Sequence, residues 1–225
     1  FASSLVLDFA VRAVPKGDIH LSTVARLPID LDHPLLDELI LRALRLNCVT
    51  SAYADLWREC YTTAFRDDDW AGGFEHQRRA PLGDVSPEWT PDTPLRIAAD
   101  RRQALVEIDA IVALALGLTA EELCTIYRTQ FAVLYGYDRN TYYYDANGRL
   151  VPNEVLSVWR KKGDRITKEE RTATNQAGNT YVYELPFQTL DREKDMTEAY
   201  EHFAQLAERR SKDSQRILRQ REGKR

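Results

Sequence analysis

The densest group of side chains that could act on a ligand lies between Val158 and Arg171. Its basic members are Arg160, Lys161, Lys162, Arg165, Lys168 and Arg171. Such a cluster can neutralise the phosphates of a nucleic acid backbone, while Trp159 anchors the same segment in the core. A solvated helix end followed by a loop is the alternative interpretation, and the sequence leaves both open.

The stretch that follows, 172–180, is polar and carries no charge. Its sequence is Thr-Ala-Thr-Asn-Gln-Ala-Gly-Asn-Thr, and its amides and hydroxyls are groups that hydrogen-bond to base edges or to phosphates. An ordinary surface loop has the same composition. Together with the basic segment before it, this stretch is the part of the chain that best fits a nucleic acid.

Motifs of a self-contained enzyme are missing. There is neither a Gly-x-Gly-x-x-Gly nor a Gly-x-x-x-x-Gly-Lys-Ser/Thr loop, and no two histidines have a metal-ligand spacing. The acidic run Asp67–Asp69 could bind a divalent cation, although acidic runs in loops are usually solvated. Glu75-His76 has no evident partner. We therefore predict no catalytic, cofactor-binding or metal-ligating residue in this chain.

Composition and charge are those of a globular protein. The 225 residues are 44% hydrophobic and 29% charged, which excludes a disordered or fibrous chain. No apolar run approaches the roughly 20 residues that a membrane span needs, so we expect no membrane partner. Three cysteines without a Cys-x-x-Cys pair indicate free thiols and a cytoplasmic location. The chain starts at Phe1 and its one methionine is Met196, which predicts a fragment of a larger protein.

The net charge of −4 is distributed unevenly. From Gln205 to Arg225 eight basic residues stand against three acidic ones, so this tail carries +5 and the rest of the chain −9. Contact with phosphates must therefore be local rather than a property of the whole surface.

Hydrophobic spacing predicts helices in the first two thirds of the chain. The segments are 4–14, with Ser3 or Ser4 as the N-cap; 35–65, as two helices that meet near 47–51; 96–116, ended by Gly117; and a helix that starts at the capping box Thr119 to Glu122. The stretch 19–29 is rich in β-formers and predicts a strand or strand pair. Prolines and glycines make 66–94 a long loop or connector.

The last third combines small strands with helices. Tyr142–Val151 predicts two strands around an Asn-Gly turn, 180–185 a short strand, and 153–159 and the stretch from Asp195 onwards two helices. The fold class is thus α+β, mainly α, with helical hairpins and small strand elements. We divide the chain into 1–65, the end of a recognition region with a helical extension, 66–100, a connector, and 101–225, a helical region with a β-hairpin and a basic tail.

Short motifs occur in a fixed order along two parts of the chain. The first part contains Ser-Leu-Val-Leu-Asp at 4–8, Gly-Asp-Ile-His-Leu-Ser at 17–22 and Leu-Pro-Ile at 27–29; the second contains Asp-Ala-Ile-Val-Ala at 109–113, Gly-Leu-Thr at 117–119 and Glu-Glu-Leu at 121–123. In this order they resemble the C-terminal part of S-adenosylmethionine-dependent DNA adenine methyltransferases, the type IIG restriction–modification enzymes and the related BREX- or DISARM-like phage-defence enzymes. The resemblance covers 3–31 and 101–131.

This resemblance implies a DNA-recognition and C-terminal region of an adenine-N6 methyltransferase. Double-stranded DNA and an upstream methyltransferase domain of the same chain are the implied partners, with other defence-system subunits as further ones. The family's Asn-Pro-Pro-Tyr motif and glycine-rich cofactor loop are absent, so S-adenosylmethionine would bind the upstream domain and the fragment alone would be non-catalytic. Lys16, His20 and Ser22 become DNA contacts by family position; Arg160, Lys161, Lys162 and Arg165 do so by local charge alone.

Two other functions remain open. A helical scaffold or protein-interaction module with a solvated basic tail fits the acidic body of the chain. A metal-dependent nuclease hidden in the loop between Arg66 and Pro94 is the enzyme alternative, although no acid followed by Glu-x-Lys supports it.

Overall fold

The structure is a computed structural model that describes residues 2–13, 28, 32–72 and 79–222, with side chains up to residue 212. It confirms a mainly helical α+β fold. Within the described part of the chain, no helix is both long enough and apolar enough to cross a bilayer.

The described ranges contain eight α-helices and one small antiparallel sheet. The helices are α1 (Leu5–Ala13), α2 (Leu36–Asn47), α3 (Ala54–Cys60), α4 (Ala98–Ala115), α5 (Ala120–Gln130), α6 (Ala132–Asn140), α7 (Asn153–Lys162) and α8 (Arg192–Glu222). Short 3₁₀ turns span Ser51–Tyr53, Thr63–Asp67 and Gly163–Arg165. Strands β1 (Thr172–Thr174) and β2 (Thr180–Val182) pair with Ala173 opposite Tyr181.

The main core is built around α4, and α8 packs along it as its most extensive partner. Ile108 and Ile111 of α4 are buried against the core, as are Met196 and Phe203 of α8. Burying a large apolar side chain contributes about 1.5 to 3 kcal/mol, so this helix pair supplies much of the hydrophobic stabilisation. Helices α1, α2, α3 and α5 and the connector contribute further buried residues to the same cluster, and Leu134 and Tyr135 of α6 pack against it.

Helix ends form where the sequence predicts them. The hydroxyl of Ser4 accepts a hydrogen bond from the Leu7 amide at 3.2 Å and caps α1. Gly117 has φ +71° and closes α4, because the Gly117 amide donates to the Leu114 carbonyl and the Leu118 amide donates to that of Ala113. Both halves of the Thr119 capping box are present at the start of α5.

In the described parts of the connector between α3 and α4, 61–72 and 79–97, the chain is irregular apart from a short 3₁₀ turn, as predicted, and side chains hold it on the core. The guanidinium of Arg45 donates to the carbonyls of Leu82 at 2.6 Å and Thr93 at 2.9 Å. The indole of Trp57 donates to Ser86, and that of Trp89 donates to Cys48. The described parts of the connector therefore pack on the main core.

Charged groups lie inside the core as hydrogen-bonded sets. Arg42 donates from Nε to Glu107 and from Nη1 to Asp68, both at 2.6 Å, and it also lies over the ring of Phe203. The Glu107 carboxylate accepts further bonds from Gln103 and from the Ala71 amide. These contacts join α2, α4, α8 and the connector, and they leave no charge of the set unpaired.

A second, smaller cluster holds the region after α6. Val155 and Leu156 of α7 pack with Ile166, Ala173 and Phe187. This cluster carries the hairpin of β1 and β2 on α7. We call the unit from Val151 to Phe187 the hairpin lobe.

The pair of strands predicted at Tyr142–Val151 is present only as isolated bridges. Tyr144 pairs with Leu150 on one side and with Gln188 on the other. The buried carboxylate of Asp145 accepts hydrogen bonds from the amides of Asn147 and Arg149 and so organises a compact turn between Tyr144 and Leu150. The Glu184 amide donates to the same carboxylate and ties the turn to the hairpin lobe.

The strand predicted at 19–29 lies almost wholly outside the described residues. The division into 1–65, 66–100 and 101–225 stays a prediction. The main core draws residues from all three ranges, for example Leu44, Leu82 and Ile111.

Candidate nucleic-acid interface

Trp159 fixes the helix that carries the basic residues. Its ring contacts Phe187 at 5.6 Å and Tyr143 at 5.5 Å between ring centres, and its indole N–H donates to Asp164 at 3.0 Å. Aromatic pairs of this kind add about 0.5 to 1.5 kcal/mol beyond their buried area. The predicted anchoring of the basic segment by this tryptophan is therefore present in the structure.

A glycine turns the chain at the end of α7. Gly163 has φ +60° and ψ −149°, a conformation that is essentially restricted to glycine. The following 3₁₀ turn carries Arg165 outward and brings Ile166 back into the small cluster. The basic residues before and after the glycine thus lie around one sharp bend.

The predicted phosphate contacts differ in how free their charges are. Arg160, Lys161, Lys162 and Arg165 are all exposed. Among the described residues, Arg160, Lys161 and Arg165 form no ion pair; Arg160 lies over the ring of Tyr143 and donates to the Asn140 carbonyl at 3.4 Å. Arg165 donates to the Lys162 carbonyl at 3.4 Å. Three of the four cations are available to a ligand.

Lys162 is compensated by its own loop. Its ammonium pairs with Glu170, and the hydrogen bond from Lys162 holds the pKa of that carboxyl below its usual range. The Thr167 amide donates to the other carboxylate oxygen at 3.1 Å. Lys162 therefore presents less free charge than the sequence pattern suggests.

Arg171 and Lys168, the last two basic residues of the segment, differ in burial and in pairing. Arg171 is half-buried and donates to the Tyr183 carbonyl at 2.7 Å and to Glu184 at 2.8 Å, so it holds the lobe together. Lys168 is exposed and has no ion-pair partner in the described ranges. We call the four free cations Arg160, Lys161, Arg165 and Lys168, together with the hairpin 172–182, the basic hairpin surface.

The uncharged stretch forms the β-hairpin. Asn175 builds its turn, because its side-chain oxygen accepts the amides of Ala177 and Asn179 at 3.0 and 2.9 Å. The hydroxyls of Thr174 and Thr180 form a hydrogen bond across the two strands at 2.8 Å. The exposed side-chain amides of Gln176 and Asn179 have no hydrogen-bond partner in the described structure. Composition could not separate the turn-forming Asn175 from these two free amides.

The remaining candidates do not form a catalytic site in the described ranges. Lys16, His20 and Ser22 lie outside the described residues, as do Glu75 and His76. Of the acidic run, Asp68 pairs with Arg42, and Asp69 accepts the amide of Trp70. No group of three or more potential metal ligands occurs among the residues that the structure describes.

Comparison with known protein families, with characterised proteins and with solved structures finds no match to this chain. The resemblance to DNA adenine methyltransferases therefore stays a prediction from the motifs alone.

Proposed function

We propose that this chain binds double-stranded DNA through the basic hairpin surface. The observation that carries the proposal is the set of four exposed, unpaired cations beside an uncharged two-stranded hairpin. Lysine and arginine contacts to phosphates supply affinity, and a two-stranded ribbon is narrow enough to enter the major groove. Gln176 and Asn179 have the side-chain type that pairs with adenine there.

The order of the motifs gives this binding a cellular role. In our proposal the chain is the DNA-recognition and C-terminal region of an adenine-N6 methyltransferase of a restriction–modification or phage-defence system, working in the cytoplasm. An upstream domain of the same chain would bind S-adenosylmethionine and methylate the flipped adenine. In this proposal the basic hairpin surface holds the duplex, and the upstream domain carries out the chemistry.

A salt series with random duplex DNA tests the proposal. We expect affinity to fall steeply with salt, since each phosphate contact that releases a counterion adds about 0.9 to the slope of the logarithmic plot. Replacing Arg160, Lys161, Arg165 and Lys168 with alanine should weaken binding to all sequences and flatten that slope by about 2 to 4. Gln176→Ala with Asn179→Ala should instead change sequence preference.

A control variant removes two exposed cations that lie outside the basic hairpin surface, and it is matched in charge to the double variant Arg160→Ala with Lys161→Ala. Arg58→Ala with Lys194→Ala removes two exposed positive charges that lie on α3 and α8. This variant should keep the affinity and the salt slope of the parent chain. Equal losses in both variants, or no binding at low salt, would contradict the proposed interface.

A protein-interaction module is the second candidate function, and the exposed face of α6 favours it. Val133 is 71% exposed and Tyr137 46% exposed, next to a groove of about 400 Å³ that also contains Phe131 and Leu134. Isolated exposed apolar residues are common, but neighbouring ones around a groove are typical of binding surfaces. Absence of DNA binding in the salt series would leave this function as the better explanation.

A further inference from the structure

A small polar cavity lies where α5 and α6 meet the start of α8. Its volume is about 210 Å³. Tyr127, Tyr135, Asp138, Arg139 and Arg192 are among the residues that line it. No part of the basic hairpin surface contributes to this lining, so the cavity is a separate feature of the molecule.

Arg192 is the central side chain of the cavity. Only 7% of the side chain is exposed, and its Nε donates to Asp138 Oδ2 at 2.6 Å. The hydroxyl of Tyr127 donates to the same oxygen at 2.9 Å, and the guanidinium lies 5.6 Å from the centre of the Tyr127 ring. These contacts fix the plane of the guanidinium before any ligand arrives.

The two terminal nitrogens of Arg192 are unused. No described residue accepts a hydrogen bond from Nη1 or Nη2, and neither atom is closed off from solvent. Because Arg192 uses only Nε in its ion pair with Asp138, Nη1 and Nη2 remain as a rigidly held pair of donors for a ligand. This fork has the spacing that matches the two oxygens of a carboxylate or phosphate.

The neighbouring charges select between these anions. Arg139, whose Nη1 donates to the Tyr135 hydroxyl at 2.9 Å, adds a second cation. Asp138 already balances Arg192, and Asp191 adds a carboxylate that caps α8 by accepting the amides of Glu193 and Lys194. Glu193 also lines the cavity and pairs with Arg128 at 2.9 Å. The three carboxylates of the lining, Asp138, Asp191 and Glu193, penalise a dianion more than a monoanion.

We propose that this cavity binds a small monocarboxylate, whose two oxygens accept hydrogen bonds from Nη1 and Nη2 of Arg192. The cavity is smaller than the roughly 300 to 1,000 Å³ typical of drug-sized ligands, so the ligand has only a few heavy atoms. Arg139 is a second contact at the rim. The site is independent of DNA binding.

Titration of the full chain with sodium acetate and sodium butyrate tests the site by calorimetry and by melting temperature. Sodium chloride at equal ionic strength, acetamide and inorganic phosphate are the reference solutes. We expect saturable binding of the carboxylates in the millimolar range, because so few atoms supply little binding energy. Acetamide and chloride should not bind, and phosphate should bind more weakly than acetate.

Two variants locate the binding in this cavity. Arg192→Lys keeps a cation beside Asp138 but removes the fork, and it should weaken acetate binding at least tenfold. Arg139→Gln changes an exposed side chain, so this variant should fold, and it should weaken acetate binding by a few-fold. It therefore tests the site even if Arg192→Lys does not fold. Arg58→Gln, with the same loss of charge on α3, should bind acetate as the parent does.

Three results would overturn the proposal. The first is a melting-temperature shift in acetate no larger than that in chloride, and the second is tighter binding of phosphate than of acetate. The third is an Arg139→Gln variant with unchanged affinity for acetate, when Arg192→Lys also keeps its affinity or does not fold.

Discussion

The guanidinium of Arg42 on α2 and the carboxylate of Glu107 on α4 meet at 2.6 Å with both side chains fully excluded from solvent. They are 65 residues apart in the chain. Asp68 of the connector shares the same guanidinium, at 2.6 Å. One arginine therefore connects two helices and the long connector inside the core.

Loss of Glu107 should destabilise the fold strongly. Glu107→Gln leaves the buried Arg42 with Asp68 as its one remaining carboxylate partner among the described residues, and breaking a buried pair costs about 3 to 5 kcal/mol. The free energy of unfolding from urea titration measures the loss. The matched control is Asp55→Asn, because Asp55 and Arg58 form an exposed pair that contributes at most about 1 kcal/mol. Similar losses in the two variants would show that the buried set is not a special contributor.

Two glycines should respond in opposite directions to the same substitution. Gly163 has φ +60°, so Gly163→Ala should destabilise by about 1 to 3 kcal/mol even though no atom lies within 4 Å of the new Cβ. Gly136 is inside α6, and its Cβ would also meet open space. Gly136→Ala should stabilise by about 1 kcal/mol, because alanine is the better helix former. Thermal and urea unfolding of both variants check the signs, and equal signs would contradict the assigned backbone conformations.

Much of the fold is predictable because its signals are local. The Ser4 cap, the Gly117 helix end and the Thr119 capping box each depend on residues within about one turn, and all three are present. The helical spacing of 96–116 likewise predicts α4 to within two residues. Hydrophobic periodicity and capping act on neighbouring residues, so a single sequence is enough to detect them.

The charge pairing was not predictable in the same way. Arg42 meets Glu107 across 65 residues, and Arg192 meets Asp138 across 54. Within the candidate interface, the pattern does not distinguish Lys161 from Lys162, yet among the described residues only Lys162 has a carboxylate partner. Arg171 belongs to the same basic run and is turned into the lobe. Such differences depend on which loop folds back onto a residue, and spacing along the chain does not encode that.

The stability of the chain should fall as the pH rises toward neutrality because of Asp109. Burial raises the pKa of this carboxyl to about 7, although Arg192 and the hydrogen bond from the Leu5 amide, at 2.7 Å, oppose the rise. Between roughly pH 4 and 7 the folded chain holds a proton on Asp109 that the unfolded chain releases. The associated stabilisation is present at the acid end and is lost as the pH passes the folded pKa.

Asp109→Asn isolates this contribution. The asparagine oxygen can still accept the Leu5 amide but does not titrate, so the variant should be more stable than the parent at about pH 8.5 and should lose the pH dependence due to Asp109. Urea unfolding at about pH 5 and about pH 8.5 gives the difference between the two proteins, expected to be a few kcal/mol, about 1.4 per unit of pKa shift. A parallel pH profile in the two proteins would show that Asp109 ionises normally.

Glu170 should act as a restraint on DNA binding at the basic hairpin surface. Its carboxylate pairs with Lys162, so Glu170→Gln removes a negative charge and also frees a lysine, while the glutamine oxygen can still accept the Thr167 amide. Affinity for duplex DNA should rise several-fold at low salt, and the slope of the salt dependence should steepen by about 1 as the freed lysine reaches a phosphate.

The adjacent acid provides the matched control for that change. Glu169→Gln removes the same charge, but Glu169 forms no ion pair with a lysine in the described ranges, so its gain in affinity should be smaller and its salt slope unchanged. Fluorescence anisotropy with one duplex across a salt series measures both quantities in all three proteins. If the two variants gained equally, the effect would be general electrostatics of the lobe, and Lys162 would have no contact with DNA. If Glu170→Gln alone steepened the slope, Lys162 would join Arg160, Lys161, Arg165 and Lys168 as a phosphate contact.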